Sequence, residues 1–189
     1  MRKLSVFNGI TVDGYFTDRR GDISWAHEQQ DAEWSEFTAG NASGTGEVAF
    51  LFGRVTYEMM KSFWPTQKAR ETAPEVADAM NSRQKLVFSK TLTEATWNNT
   101  KLLKGDPVTE VQKLKKEPGP DLLIFGSGSI VAPLAEAGLI DQYTIVLNPV
   151  VLGGGRTMFE SVKEKLRLKL TNTRVFKNGN VVLWYEPRR

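Results

Sequence analysis

The feature that most constrains this chain is a corner that recurs along it. Three short apolar runs, EVAFLF (47–52), KLVF (85–88) and LLIF (122–125), each stop at a small residue: Gly53, Ser89 and Gly126. The first and last lead into helical spacing, Val55, Met59, Met60 and Phe63 in one case and Ile130, Val131, Leu134 and Ala137 in the other. A short, continuously apolar strand that meets glycine and then a helix start is the repeating unit of a parallel sheet covered by helices.

The rest of the chain fits that frame. Leu4 to Val12 reads as a first strand ending at the Asp13-Gly14 turn signal. Helices are expected over Gln29 to Thr38, Val55 to Phe63, Pro74 to Met80, Val108 to Lys116 and from Ser129 through Ala137. Gln142 to Leu147 is a further strand, blocked by Asn148-Pro149 and followed by the glycine run 153–155. Arg167 to Phe176 and Asn180 to Tyr185 read as a hairpin with Asn178-Gly179 at its turn. The expected architecture is a three-layer α/β/α domain spanning residues 1–189, its mostly parallel central sheet carrying an antiparallel C-terminal hairpin.

Composition removes several kinds of chemistry. With no cysteine and a single histidine, His27, the chain has no disulfide, no thiolate metal site, no cysteine nucleophile and no zinc site built on several imidazoles. There is no GxSxG elbow for serine hydrolysis. A formal charge of +3 over 189 residues is a mild excess, without the clustered cations of a nucleic-acid surface. The N-terminus is broken by Asn8, Gly9 and Asp13, so it does not read as a signal peptide, and no window approaches membrane-spanning length. The expected setting is the cytoplasm, with neither nucleic acid nor membrane as partner.

In a sheet of this class, ligands bind beyond the carboxyl ends of the strands. The corner Gly126-Ser127-Gly128-Ser129 joins unpaired helix-start amides to glycines that let a ligand approach the backbone, which suits phosphate. The alternative is that Ser127 or Ser129 simply caps the helix and the glycines make a tight turn. GSGSIV lacks the third glycine of a dinucleotide fingerprint, and no Gly-Lys-Ser/Thr follows, so it is neither a Rossmann motif nor a P-loop. At Gly53-Arg54-Val55-Thr56, Arg54 is suited to bidentate phosphate contact and Thr56 to donation from the first helical turn; a solvated arginine and a capping threonine are the bland reading. Ser89-Lys90 is a third such corner, and an ordinary loop otherwise.

The segments GRVTYE (53–58), KLVFSKT (85–91), ITVDGYF (10–16) and IFGSGSIVAPLAEAGLIDQYTIVLNPVVLGGGRTMF (124–159) resemble the dihydrofolate reductase superfamily. Within it they look most like the reductase domain at the C-terminus of bifunctional riboflavin-biosynthesis deaminase-reductases, and its stand-alone bacterial relatives. The likeness runs nearly end to end. It implies NADPH as hydride donor, with the Gly126, Ser127, Gly128, Ser129 loop on the pyrophosphate and Gly53, Arg54 and Thr56 at the phosphates. It also implies Ser89 and Lys90 near the adenosine 2′-phosphate, and Ile10 and Gly14 bordering the nicotinamide. On the substrate side, Asp31 is the nearest match to the carboxylate that promotes ring protonation, although its spacing differs. A first-turn acid favoured by the helix dipole is its plain reading. Trp25 and Arg156 are candidate pocket residues. The deaminase domain and its zinc-binding cysteines are absent from these residues.

The leading expectation is an NADPH-dependent reductase of a small heterocycle, pterin-like or ribosylaminopyrimidine-like, working as a homodimer. The alternative is a non-catalytic module that binds NADPH or a related nucleotide.

Overall fold

The computed structural model describes residues 1–43 and 46–188, apart from the side chains of residues 42 and 43. Its centre is an eight-stranded sheet in the order β5-β4-β3-β6-β1-β7-β10-β9. The strands are β1 (Leu4–Thr11), β3 (Val48–Gly53), β4 (Lys85–Phe88), β5 (Thr100–Leu103), β6 (Asp121–Phe125), β7 (Gln142–Asn148), β9 (Leu168–Val175) and β10 (Val181–Pro187). From β5 to β7 every neighbouring pair is parallel, whereas β10 runs antiparallel to both β7 and β9. A separate two-stranded ribbon pairs β2 (Tyr15–Thr17) with β8 (Arg156–Thr157).

Strand alternation sorts the core into two faces. Leu4, Val6, Ala49, Leu51, Leu86, Leu122 and Ile124 point to one side. There they pack with Val111 of α5 (Pro107–Lys116) and Ile130, Val131 and Leu134 of α6 (Gly128–Glu136). Phe50, Phe52 and Val87 point to the other side, against Tyr57 of α2 (Arg54–Phe63) and Met80 of α4 (Pro74–Ser82). Further along that face, Trp34 of α1 (Ala32–Ser43) packs with Val146, Phe176 and Val182. Each such large apolar side chain contributes about 1.5–3 kcal/mol on burial. Helices on both faces explain why the apolar residues of β3 and β4 do not alternate with polar ones: Leu86, Val87 and Phe88 are all buried.

Sequence and structure differ mainly at the small elements. β5, β2, β8 and α3 (Gln67–Thr72) were not legible in the sequence. The α3 segment QKARET has no apolar stripe, and Thr66 sets its start by accepting the Ala69 N–H at 3.2 Å. β2 and β8 span three and two residues, too few for any periodicity to register. The first helix begins at Ala32 rather than Gln29, because a 3-10 turn occupies Ser24–His27 and Asp31 caps the helix.

Candidate functional site

The parallel strands all end on one edge, and that edge collects the sequence-derived candidates. Gly53 closes β3, Ser89 follows β4, Gly126 follows β6, and Ile10 and Thr11 end β1 beside Leu147 and Asn148 of β7. Two helices, α2 and α6, begin here, so their N-terminal amides and positive dipole ends converge on one place.

Ser127 joins them. It sits in the left-handed region at φ 61°, ψ 64°, directly after Gly126 at φ 59°. Its buried hydroxyl accepts the Gly53 N–H at 2.8 Å and donates to Thr56 Oγ1 at 2.6 Å. Fit is tight: a Cβ on Gly53 would stand 3.2 Å from both the Ser127 and Ser129 hydroxyls. A glycine at 53 is therefore what lets the end of β3 approach the start of α6. Ser127 and Thr56 thus hold the corner together, while Gly126 stays half-buried and Ser129 exposed on its outer side.

The corner has an inner wall. A Cβ on Gly128 would come within 2.9 Å of the Phe16 ring, so this aromatic lies against the first turn of α6. Phe16 belongs to β2, whose ribbon with β8 is tied down at both ends. Asp13 accepts the Thr11 hydroxyl at 2.6 Å and the Gly153 N–H at 2.7 Å, and Arg19 donates to the Gly153 carbonyl at 3.2 Å. The Thr11 hydroxyl, then the Gly153 and Leu152 amides, hold the Asp13 carboxyl below the usual range. The Asp13 and Phe16 contacts were missed in the sequence, where Asp13-Gly14 reads as a turn and, by resemblance, as a loop bordering the nicotinamide.

The cations stand outside the corner. Arg54 is exposed and pairs with Glu58 at 2.9 Å; Lys90 is exposed beside Ser89. The Ser89 hydroxyl accepts the N–H groups of Thr91 and Leu92 at 3.2 and 3.0 Å, which shapes its own loop. Arg156 is exposed, pairs with Glu160 at 2.8 Å and lies over the Phe16 ring at 5.9 Å. Gly14 takes a left-handed turn at φ 87° two residues before Phe16.

On the α1 face, Asp31 accepts the Trp34 N–H at 2.7 Å as the cap of α1. Trp25 is buried in the preceding 3-10 turn, and His27 of that turn is exposed. Two buried asparagines stand across from each other where β7 ends and β10 begins. Asn148 and Asn180 are buried at 2% and 0% exposure, and the Asn148 amide donates to the Ile10 and Val146 carbonyls at 3.2 Å each. Two open surface hollows lie elsewhere, one between α1 and β9 at Phe37 and Arg174, the other around Trp97 and Lys101. The guide to the site is the convergence of strand ends and helix starts. Among the described residues no group of acidic, histidine or cysteine side chains is arranged to hold a metal, and no helix is long and apolar enough to cross a membrane.

The fold is that of the dihydrofolate reductases: the Enterococcus faecalis enzyme complexed with NADP(H) superposes with a TM-score of 0.65 at 14% identity, over 99% of this chain and 97% of that one. A Shewanella sp. PV-4 protein, provisionally described as a riboflavin biosynthesis protein, superposes at 0.74 with 24% identity over 99% of both chains. The family described as the RibD C-terminal domain matches residues 2–182, and the chain belongs to it. The uncharacterized Bacillus subtilis protein YyaP is 30% identical over 184 residues, which is 97% of this chain and 94% of that one. The family is of reductase type.

Proposed function

We propose that this chain is an NADPH-dependent reductase that transfers hydride to a small heterocycle of pterin-like or ribosylaminopyrimidine-like type. The observation that carries the reading is the meeting of the α2 and α6 N-termini at Gly53 and Ser127. It supports a polyanionic dinucleotide because the helix-start amides offer donors without charge, and Arg54 and Lys90 flank them. The residues present fit such a group. Gly126 keeps the corner bare of a side chain, and Ser129 is exposed beside it.

In this reading Gly126 to Ser129, with Gly53, Arg54 and Thr56, hold the pyrophosphate. Ser89 and Lys90 lie toward the adenosine 2′-phosphate, and Ile10 and Gly14 border the nicotinamide, which when bound supplies the hydride. Trp25 and Arg156 belong to the substrate side, where the Asp31 carboxylate assists protonation of the ring. The chain works as a homodimer in the cytoplasm. A non-catalytic NADPH-binding module shares every cofactor contact and differs only in turnover.

Ser129→Asp tests the cofactor site. Ser129 is exposed in the first turn of α6, where a carboxylate is compatible with the helix dipole. The variant should therefore fold at least as well as the parent. Beside a pyrophosphate the same carboxylate costs about 1–4 kcal/mol, a tenfold or greater loss of NADPH affinity by fluorescence titration. The parent should favour NADPH over NADH. Undiminished NADPH binding by the variant sinks this placement, and stopped-flow oxidation with a pterin and ribosylaminopyrimidinone panel separates reductase from module.

A further inference from the structure

The far end of the strand edge, where β4 and β5 stop, carries both signs of charge. The two strands end side by side: Phe88 pairs with Leu103, and the Ser89 N–H donates to the Leu103 carbonyl at 3.1 Å. Lys90 and Lys104 therefore leave the sheet next to each other, and Asp106 follows as the cap of α5. All three are exposed, and among the described residues none of them is in an ion pair. The other carboxylate at this corner is already matched: Glu110, which a Cβ on Gly105 would approach to 2.6 Å, pairs with Lys113 at 3.1 Å.

Asp106 is fixed by its own helix. Its Oδ2 accepts the Thr109 N–H at 2.9 Å and the Thr109 hydroxyl at 3.1 Å. The Thr109 amide is the main cause holding its carboxyl below the usual range, and the charge of Lys90 adds to that. The carboxyl is therefore ionised at neutral pH. Lys90 is near enough to act on it, yet the two form no ion pair. The Ser89 hydroxyl is engaged by the Thr91 and Leu92 amides of its own loop, which leaves Lys90 and Lys104 as the groups here that attract a phosphate. A free carboxylate thus stands at the same corner as the two cations.

We propose that Asp106 is a specificity-determining residue for the cofactor: its carboxylate opposes the pull of Lys90 on a ribose 2′-phosphate and keeps the preference for NADPH over NADH small. This rests on the dinucleotide reading, which puts the adenosine end at Ser89 and Lys90. The two cofactors differ at that ribose by a hydroxyl against a phosphate of charge about −1.5 to −2. A carboxylate repels the phosphate and accepts from the hydroxyl, the sign logic by which an acidic residue selects the hydroxyl form in dinucleotide folds. A helix cap and nothing more is the competing role, and chemistry separates the two. Asn and Ser cap as well as Asp does, and neither carries a charge.

The test compares Asp106→Asn and Asp106→Ser with the parent, as full chains at neutral pH and low salt. NADPH and NADH are titrated by fluorescence. Adenosine 2′,5′-bisphosphate and 5′-AMP, which differ only in the 2′-phosphate, are titrated by calorimetry. The parent should favour NADPH over NADH by about tenfold or less. Both variants should bind NADPH and the bisphosphate about three- to tenfold more tightly, with NADH and 5′-AMP held to within about twofold. Added salt should shrink the gain, because both charges are exposed. Unchanged selectivity in the two variants, or an equal gain for the phosphate and hydroxyl forms, overturns the proposal and leaves Asp106 a cap. If NADPH binds the parent and Asp106 is silent, the reductase reading stands without this residue. If neither NADPH nor the bisphosphate binds the parent, the dinucleotide reading falls and the role of Asp106 falls with it.

Discussion

Lys85 shows how much a single residue can do away from the site. Its side chain is fully buried, and Nζ donates to the carbonyls of Met80, Asn81 and Arg83 at 2.8, 3.2 and 2.7 Å. It thereby caps the carboxyl end of α4, the negative end of the helix dipole, and lies 4.6 Å from the Trp97 ring centroid. Burial pushes its pKa down to about 8 from an ordinary 10.5. Between those two values the unfolded chain holds a proton that the folded chain has released. Unfolding therefore takes up a proton, and stability rises with pH across that window, by up to about 1.4 kcal/mol per pH unit. Lys85→Met should cost about 2–4 kcal/mol at pH 7, because three carbonyls lose their donor. The gap between parent and variant should widen from pH 8 to pH 10 in urea melts. A constant gap would mean that the amine keeps an ordinary pKa. In the sequence this lysine is merely the first letter of KLVF, since nothing local announces that a helix end folds back over it.

At the scale of elements, the corner between β3, α2 and β6, α6 depends on one hydroxyl. Ser127→Ala leaves the buried Gly53 N–H and Thr56 hydroxyl without their partner, and should destabilise the chain by about 1–3 kcal/mol in urea unfolding. Thr56→Val, which spares the Gly53 bond, should cost less. Equal effects would assign the stability to the hydroxyl pair rather than to the strand–helix link. The sequence made the elements here legible for a physical reason: apolar runs buried on both faces are dense, and the glycine breaks after them are abrupt. β3, β4, β6, α2 and α6 emerged within one or two residues of their observed ends. The internal commitment of Ser127 was not legible, because the same hydroxyl equally suits a helix cap or a ligand contact. Nor was the ribbon of β2 and β8, which exists only because Asp13 and Arg19 close a contact across more than a hundred residues. Gly155 marks how closely it closes, since a Cβ there would lie 2.0 Å from the Thr17 carbonyl.

The whole molecule is unevenly covered, and that bears on assembly. The α5 and α6 helices bury their face of the sheet from β5 to β1, and Met158 and Phe159 continue the packing a little beyond. Among the described residues no helix covers that face over β10 and β9. β9 ends the sheet with an unpaired edge, and Lys169 to Val175 are exposed on both its faces. Leu170 and Val175 are 48% and 71% exposed, while Leu183 of β10 next to them is half-buried. A long open edge with apolar neighbours invites a partner strand or sheet face, and Lys169 and Arg174 are the charges on the strand that guard it against indiscriminate pairing. A second copy of the chain supplies a matching surface by symmetry, which is the form of the proposed homodimer. Light scattering should then give twice the 21.2 kDa chain mass. Leu170→Lys with Val175→Lys should yield a folded monomer, since both positions are already half or more in water. A parent that stays monomeric at high concentration removes the dimer. A variant that stays dimeric moves the interface to another part of the molecule, with the β9 edge left to its two charges.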